Sequence, residues 1–109
     1  MADADQIYDE AVNLQQAGKI GDAVGKLEEL LVSTPDYALA HAGLSAFYSK
    51  LNRHAEAVEH ARKVCELEAD DPFSFMALSL ICQRAGLIPE AEAAMSEAMH
   101  RQWDLRKQP

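Results

Sequence analysis

The sequence predicts an all-α fold: three helix-turn-helix hairpins stacked side by side in one 109-residue domain. Three observations carry that expectation. Ala23, Ala57 and Ala91 recur every 34 residues. Five positions before each of them stand Gly18, Asn52 and Gly86, residue types that tolerate a left-handed backbone at the end of a helix. Between these marks the chain is rich in Ala, Leu, Glu and Met, which lose little side-chain freedom on entering a helix.

Each unit reads as two helices around a tight turn. The first has helices near residues 5–17 and 21–32 flanking Gly18, and Ser33-Thr34-Pro35-Asp36 turns the chain into the second. The second has helices near 37–50 and 54–68 on either side of Leu51-Asn52-Arg53. In the third, Asp71 caps a helix whose first turn Pro72 is pre-set to enter. Gly86 ends that helix near residue 85, and Pro89 opens a last helix expected to run to about residue 102. One such hairpin cannot bury both of its apolar faces, but neighbours in a stack cover one another. The units fall at residues 4–37, 38–71 and 72–105 of a single domain spanning 1–109, with a short tail at 106–109.

The chain carries a net charge of −8. Nucleic-acid binding needs a basic footprint that displaces counterions from phosphates, so no nucleic acid is expected as partner. The same acidity disfavours an anionic membrane surface, and the apolar runs are too short to span a bilayer. The acidic residues read as a solvated exterior. The opening Met-Ala-Asp-Ala-Asp lacks the basic and apolar regions of a secretion signal, and Cys65 and Cys82 form no CxxC pair, so the expected location is the cytoplasm.

At fixed offsets within each unit stand a large residue (Ile7, His41, Phe75), a small one (Ala11, Ser45, Ser79) and the alanine of the second helix (Ala23, Ala57, Ala91). With Leu44, Leu78, Tyr48 and Pro35, this pattern resembles the tetratricopeptide repeat family over residues 4 to 105. Glu10 and His41 depart from it, Ala69 and Trp103 stand where proline is usual, and Cys82 takes a position where the family packs a tyrosine. The resemblance implies a right-handed superhelical stack whose first helices line a concave groove. On that register the groove receives Tyr8 and Val12 from the first unit, Leu39, Ala42, Ala46 and Lys50 from the second, and Phe73, Met76, Leu80 and Arg84 from the third. Gln15, Gln16, Ser49 and Gln83 fall at its polar end.

The expected function is a non-catalytic adaptor or scaffold that holds a peptide or helix of a partner protein in this apolar groove. One subclass of the family grips a C-terminal carboxylate through lysine, asparagine and arginine side chains. The matching positions here are Tyr8, Val12, Gly43, Phe73 and Ala77, of which only the tyrosine hydroxyl can donate, so that subclass is excluded. The alternative function is a structural protein that forms homo-oligomers through the last hairpin, where Met95, Met99 and Trp103 make a stripe at spacings of four.

A small enzyme is the third reading, and the residues give it little. There is no phosphate loop, GxSxG elbow or HExxH, and no cofactor is expected. Glu56 and His60, four apart, read as a surface pair, since a metal site needs three or four converging ligands. Cys82 reads as a small buried apolar residue. The acidic run from Glu66 to Asp71 lacks the central glycine of a calcium loop.

Overall fold

Six helices follow one another in the computed structural model, which describes residues 3–107, and no strand occurs among them: α1 (Ala4–Gln16), α2 (Ile20–Ser33), α3 (Ala38–Lys50), α4 (His54–Leu67), α5 (Pro72–Arg84) and α6 (Ile88–Lys107). Each helix packs on its successor, and α3 also meets α5. The result is the expected all-α stack of three hairpins, with α3 and α5 side by side in one layer and α4 behind them.

The turns inside the hairpins are built alike. Gly18, Asn52 and Gly86 take φ values of 83°, 61° and 78°, the left-handed region that only glycine, and at lower cost asparagine, visits readily. Behind each one, a backbone N–H reaches back five residues to a helix carbonyl. Lys19 N donates to Leu14 O, Arg53 N to Tyr48 O and Leu87 N to Cys82 O, all at 2.8 Å. These bonds satisfy carbonyls that a helix end otherwise leaves orphaned. The starts are capped where the sequence supplies acceptors. Asp71 accepts from Phe73 N at 2.9 Å, and Asp3 and Gln6 form a reciprocal capping box at the head of α1.

The core runs the length of the stack through Ala11, Ala23, Leu27, Leu30, Ala40, Leu44, Phe47, Ala57, Ala61, Ile81, Cys82 and Ala91. The recurring alanines are buried because a larger side chain there would hold the paired helices apart. Gly43 follows the same rule across units: a Cβ on it would stand 2.8 Å from Leu27 Cδ1, so its lack of a side chain lets α3 lie close on α2. Both thiols are buried, and burial pushes them up, Cys65 to about 11, which leaves neither poised as a nucleophile.

The two ends of the stack differ. On α1, Gln6, Glu10 and Asn13 are exposed at the repeat positions that α3 fills with buried Ala40, Leu44 and Phe47. That end presents a polar face. At the other end, α6 extends five residues beyond its expected end near 102. No glycine or proline interrupts it after Pro89 within the described residues, and Arg106 and Lys107 in its last turn complement the helix dipole. Two residues of the expected tail thus belong to the helix, while 108 and 109 lie outside the described residues.

Candidate partner-binding face

The layer formed by α3 and α5 carries a polarity set by the repeat. Both helices begin with an exposed apolar side chain at equivalent positions, Leu39 at 55% and Phe73 at 71% exposure. Both end with an exposed cation in the last turn, Lys50 and Arg84, and neither cation forms an ion pair among the described residues. The first unit has Asp5 and Gln16 at these two positions, so the pattern belongs to the second and third units alone.

Between the two ends lies a shallow depression of about 190 Å³. Ala42, Ala46 and Ser45 of α3 form one wall and Ala77, Leu80 and Arg84 of α5 the other, with Ala61 and Val64 of α4 as floor. The small residues create the space, because alanine leaves open what a leucine would fill. Leu80 remains 47% exposed on its edge. Ser45 is buried in this wall, and its Oγ has no hydrogen-bond partner among the described residues. Its counterpart one unit on, Ser79, donates to the carbonyl of Ala91 at 2.8 Å. A buried hydroxyl without a partner is destabilising by roughly 1–3 kcal/mol, so this wall has hydrogen-bonding capacity in reserve.

Of the ten residues placed in the groove from the sequence, Ala42, Ala46, Leu80 and Arg84 meet around this depression. Leu39, Phe73 and Lys50 stand at the two ends of the same helices. Met76 is half-buried on α5 and does not line the depression. Tyr8 and Val12 are half-buried on α1, and the Tyr8 ring packs against Tyr37 with centroids 6.1 Å apart. The Tyr37 hydroxyl in turn donates to Asp5, which pushes that phenol up to about 12. The first unit therefore contributes an aromatic lock at the α1–α3 seam and no part of the depression.

A second cluster lies outside the sequence expectations. His41, 8% exposed, has Nε2 at 2.8 Å from the carbonyl of Pro35 and Nδ1 at 3.0 Å from Nδ1 of His60. A carbonyl only accepts, so His41 carries its proton on Nε2 and His60 donates through Nδ1. The pair ties α3 to α4 and to the turn between the first two units. His60 also stacks on Tyr48, whose hydroxyl donates to Glu28. Glu56 is engaged elsewhere, bridging Arg53 at 2.5 Å, so the surface pair expected between Glu56 and His60 is replaced by these two contacts. Nothing in the local sequence announces the histidine pair, because its members are 19 residues apart and meet only when α3 and α4 pack.

Burial, followed by the neighbouring His41, lowers the His60 imidazole from its ordinary 6.5, against the weaker pull of Glu28 on α2 and Glu59 and Glu56 on α4. A base with a lowered folded pKa takes up a proton more readily when the chain is unfolded. Its contribution to stability is thus present above pH 6.5 and is lost as the pH falls through the lowered folded value. Thermal unfolding at pH 7.5 and pH 5 is expected to show a drop in Tm that shrinks in His60→Gln. An unchanged drop in that variant would remove the histidine pair as its source.

No family model matches the sequence, and no curated protein matches it. The fold has clear relatives among solved structures. The crystal structure of MamA aligns over 97% of this chain with a TM-score of 0.88 at 19% identity, and this chain spans 62% of the MamA chain. The CopN-Scc3 complex aligns over 90% with a TM-score of 0.83 at 16% identity, covering 58% of the matched chain. The type III secretion translocator chaperone SycD of Yersinia enterocolitica aligns over 97% with a TM-score of 0.81 at 21% identity, covering 78% of that chain. At such identities the likeness is one of fold: this is an all-α protein of stacked helical hairpins. No described helix is long and apolar enough to cross a membrane.

Proposed function

We propose that the chain is a non-catalytic adaptor that holds a segment of a partner protein along α3 and α5. The observation that carries this reading is the apolar depression between those helices, set between the exposed Leu39 and Phe73 and the unpaired Lys50 and Arg84. From Leu39 to Lys50 the face is about 17 Å long at the rise of an α-helix, room for about three helical turns or about five extended residues. A large apolar side chain fits the depression, and an acidic group beside it meets Arg84 in a charge-assisted contact. Other faces fit this role less well. The larger hollow against α4, about 560 Å³, is lined by Glu59, Arg62, Lys63 and Glu66 together with the two histidines already paired to each other.

Two of the fold relatives are described as a translocator chaperone and as part of a two-protein complex, which is in keeping with a protein-binding role. We further take residues 1–109 as one tetratricopeptide-type domain of three units. The carboxylate-gripping subclass remains excluded, since no cationic or amide side chain stands at Tyr8, Val12, Gly43, Phe73 or Ala77.

Selection of a random peptide display library on the full chain tests the reading. Enriched peptides are expected to carry a large apolar residue with an acidic residue at a fixed distance from it. The absence of enrichment, or enriched peptides that bind equally well when Leu80 is changed to Glu, would rule the face out.

A further inference from the structure

The outer side of α6 is apolar, and its pattern states what can cover it. Met95, Met99 and Trp103 are 38%, 63% and 56% exposed, with Glu92 and Arg106 exposed beyond them in the same direction. Spacings of three and four residues keep the five on one stripe, roughly a quarter-turn away from the Ala91, Ala94 and Ala98 that bury against the rest of the stack. Ile88, Met95 and Glu92 share this side with Ser79 and Gln83 of α5.

The stripe is self-complementary about Met99. If a second α6 lies antiparallel across it with Met99 on the axis, residues equidistant from Met99 meet. Met95 then faces Trp103, Ser96 faces Gln102, and Glu92 faces Arg106, each pair occurring twice by symmetry. Apolar meets apolar, polar meets polar, and Glu92 meets Arg106, while Lys107, whose ammonium lies 5.6 Å from the Trp103 ring centroid, flanks the stripe. A parallel arrangement would instead set Glu92 against Glu92 and Arg106 against Arg106. Head-to-tail stacking fails as well, because the opposite end of the molecule offers Gln6, Glu10 and Asn13 to the methionines and the tryptophan. We infer that α6 is the seat of a two-fold dimer in which a second copy of this chain docks antiparallel through Met95, Met99 and Trp103, with Glu92 and Arg106 setting the register.

The interface is isologous and closes on itself, so it yields dimers and no filament. Its apolar centre supplies the affinity, and the flanking charges choose the orientation, as charged flanks do in paired helices. The depression between α3 and α5 stays outside it, so this inference and the adaptor reading stand or fall separately.

Sedimentation velocity on the full chain, from low micromolar to near-millimolar concentration, is the test. A monomer–dimer equilibrium is expected, lost in Met99→Glu with the helical circular dichroism unchanged. Glu92→Arg and Arg106→Glu each place like charges at both symmetric pairs and are expected to weaken the dimer roughly tenfold, and the double variant to restore it. Met99→Cys is expected to give a disulfide-linked dimer on mild oxidation, and His100→Cys, about a quarter-turn around α6 from the stripe, is not. A chain that stays monomeric throughout overturns the inference and leaves the stripe to a different partner. A dimer indifferent to Met99→Glu overturns the location. Failure of the double reversal to restore what either single reversal loses overturns the antiparallel register.

Discussion

Replacing Leu27 by alanine is expected to destabilise the protein by about 3 kcal/mol, and to turn a second substitution sixteen residues away from one without net benefit into a stabilising one. Leu27 is fully buried on α2, among Ala23, Val24 and Leu30, where the first hairpin meets the second. Truncation there removes apolar contacts and leaves a cavity, because two helix backbones frame the site and cannot collapse into it. A domain of this size is held by roughly 5–15 kcal/mol, so the loss is a large share of the total. The coupling runs through Gly43, whose absent side chain gives Leu27 Cδ1 its place. In the natural protein Gly43→Ala gains about 1 kcal/mol of helix propensity but drives a methyl to 2.8 Å from that carbon, so no net stabilisation is expected. In the Leu27→Ala background the conflict is gone, and Gly43→Ala is expected to stabilise by about 1 kcal/mol. Urea unfolding of the four proteins measures both effects. Strict additivity of the two substitutions would mean that the close approach of α2 and α3 is not what Gly43 provides.

The second large effect is expected on binding. Ala46→Leu places an isobutyl group in the depression where the partner's apolar anchor is proposed to sit. Loss of a buried central anchor is typically worth 2 kcal/mol or more, so peptides selected on the natural protein are expected to bind this variant at least about 30-fold more weakly. Folding stability should hardly move, since Ala46 is only half-buried and the new side chain fills existing space. Arg84→Gln acts differently. It leaves the depression open and removes the cation at its edge, so affinity should fall less, and the remaining binding should lose most of its salt dependence. Isothermal titration at low and high salt separates the two modes. Equal losses in both variants with identical salt dependence would mean that charge and cavity are not separate parts of one site.

Much of the fold is legible in the residues because the repeat ties independent signals together. Gly18, Asn52 and Gly86 share a period with the buried alanines that follow them, and all three adopt the left-handed conformation that this position demands. Asp71 and Pro72 mark the start of α5 for the same local reason, an acceptor for an orphaned N–H followed by a residue already shaped for the first turn. The end of α6 was less legible. After Gly86 and Pro89 the sequence offers no glycine or proline stop within the described residues, and Arg106 and Lys107 favour helix there by complementing the dipole.

The candidate face divides along the same line. Repeat position alone puts Leu39 and Phe73 at equivalent places, and likewise Lys50 and Arg84, because a 34-residue period carries a side chain from one helix to the same place on the next. Which of these residues enclose a space depends on how closely α3, α4 and α5 approach. That approach selects Ala42, Ala46, Leu80 and Arg84, while Tyr8 pairs with Tyr37 at another seam. The orphan hydroxyl of Ser45 and the His41–His60 contact belong to tertiary structure for the same reason: each depends on atoms brought together from different helices. By itself the sequence determined the number of hairpins, their turns and the order of their faces, since those follow from local backbone preference and periodicity. Only the packed structure decided the depth of the depression and the partners of the buried polar groups, since those depend on distances between segments far apart in the chain.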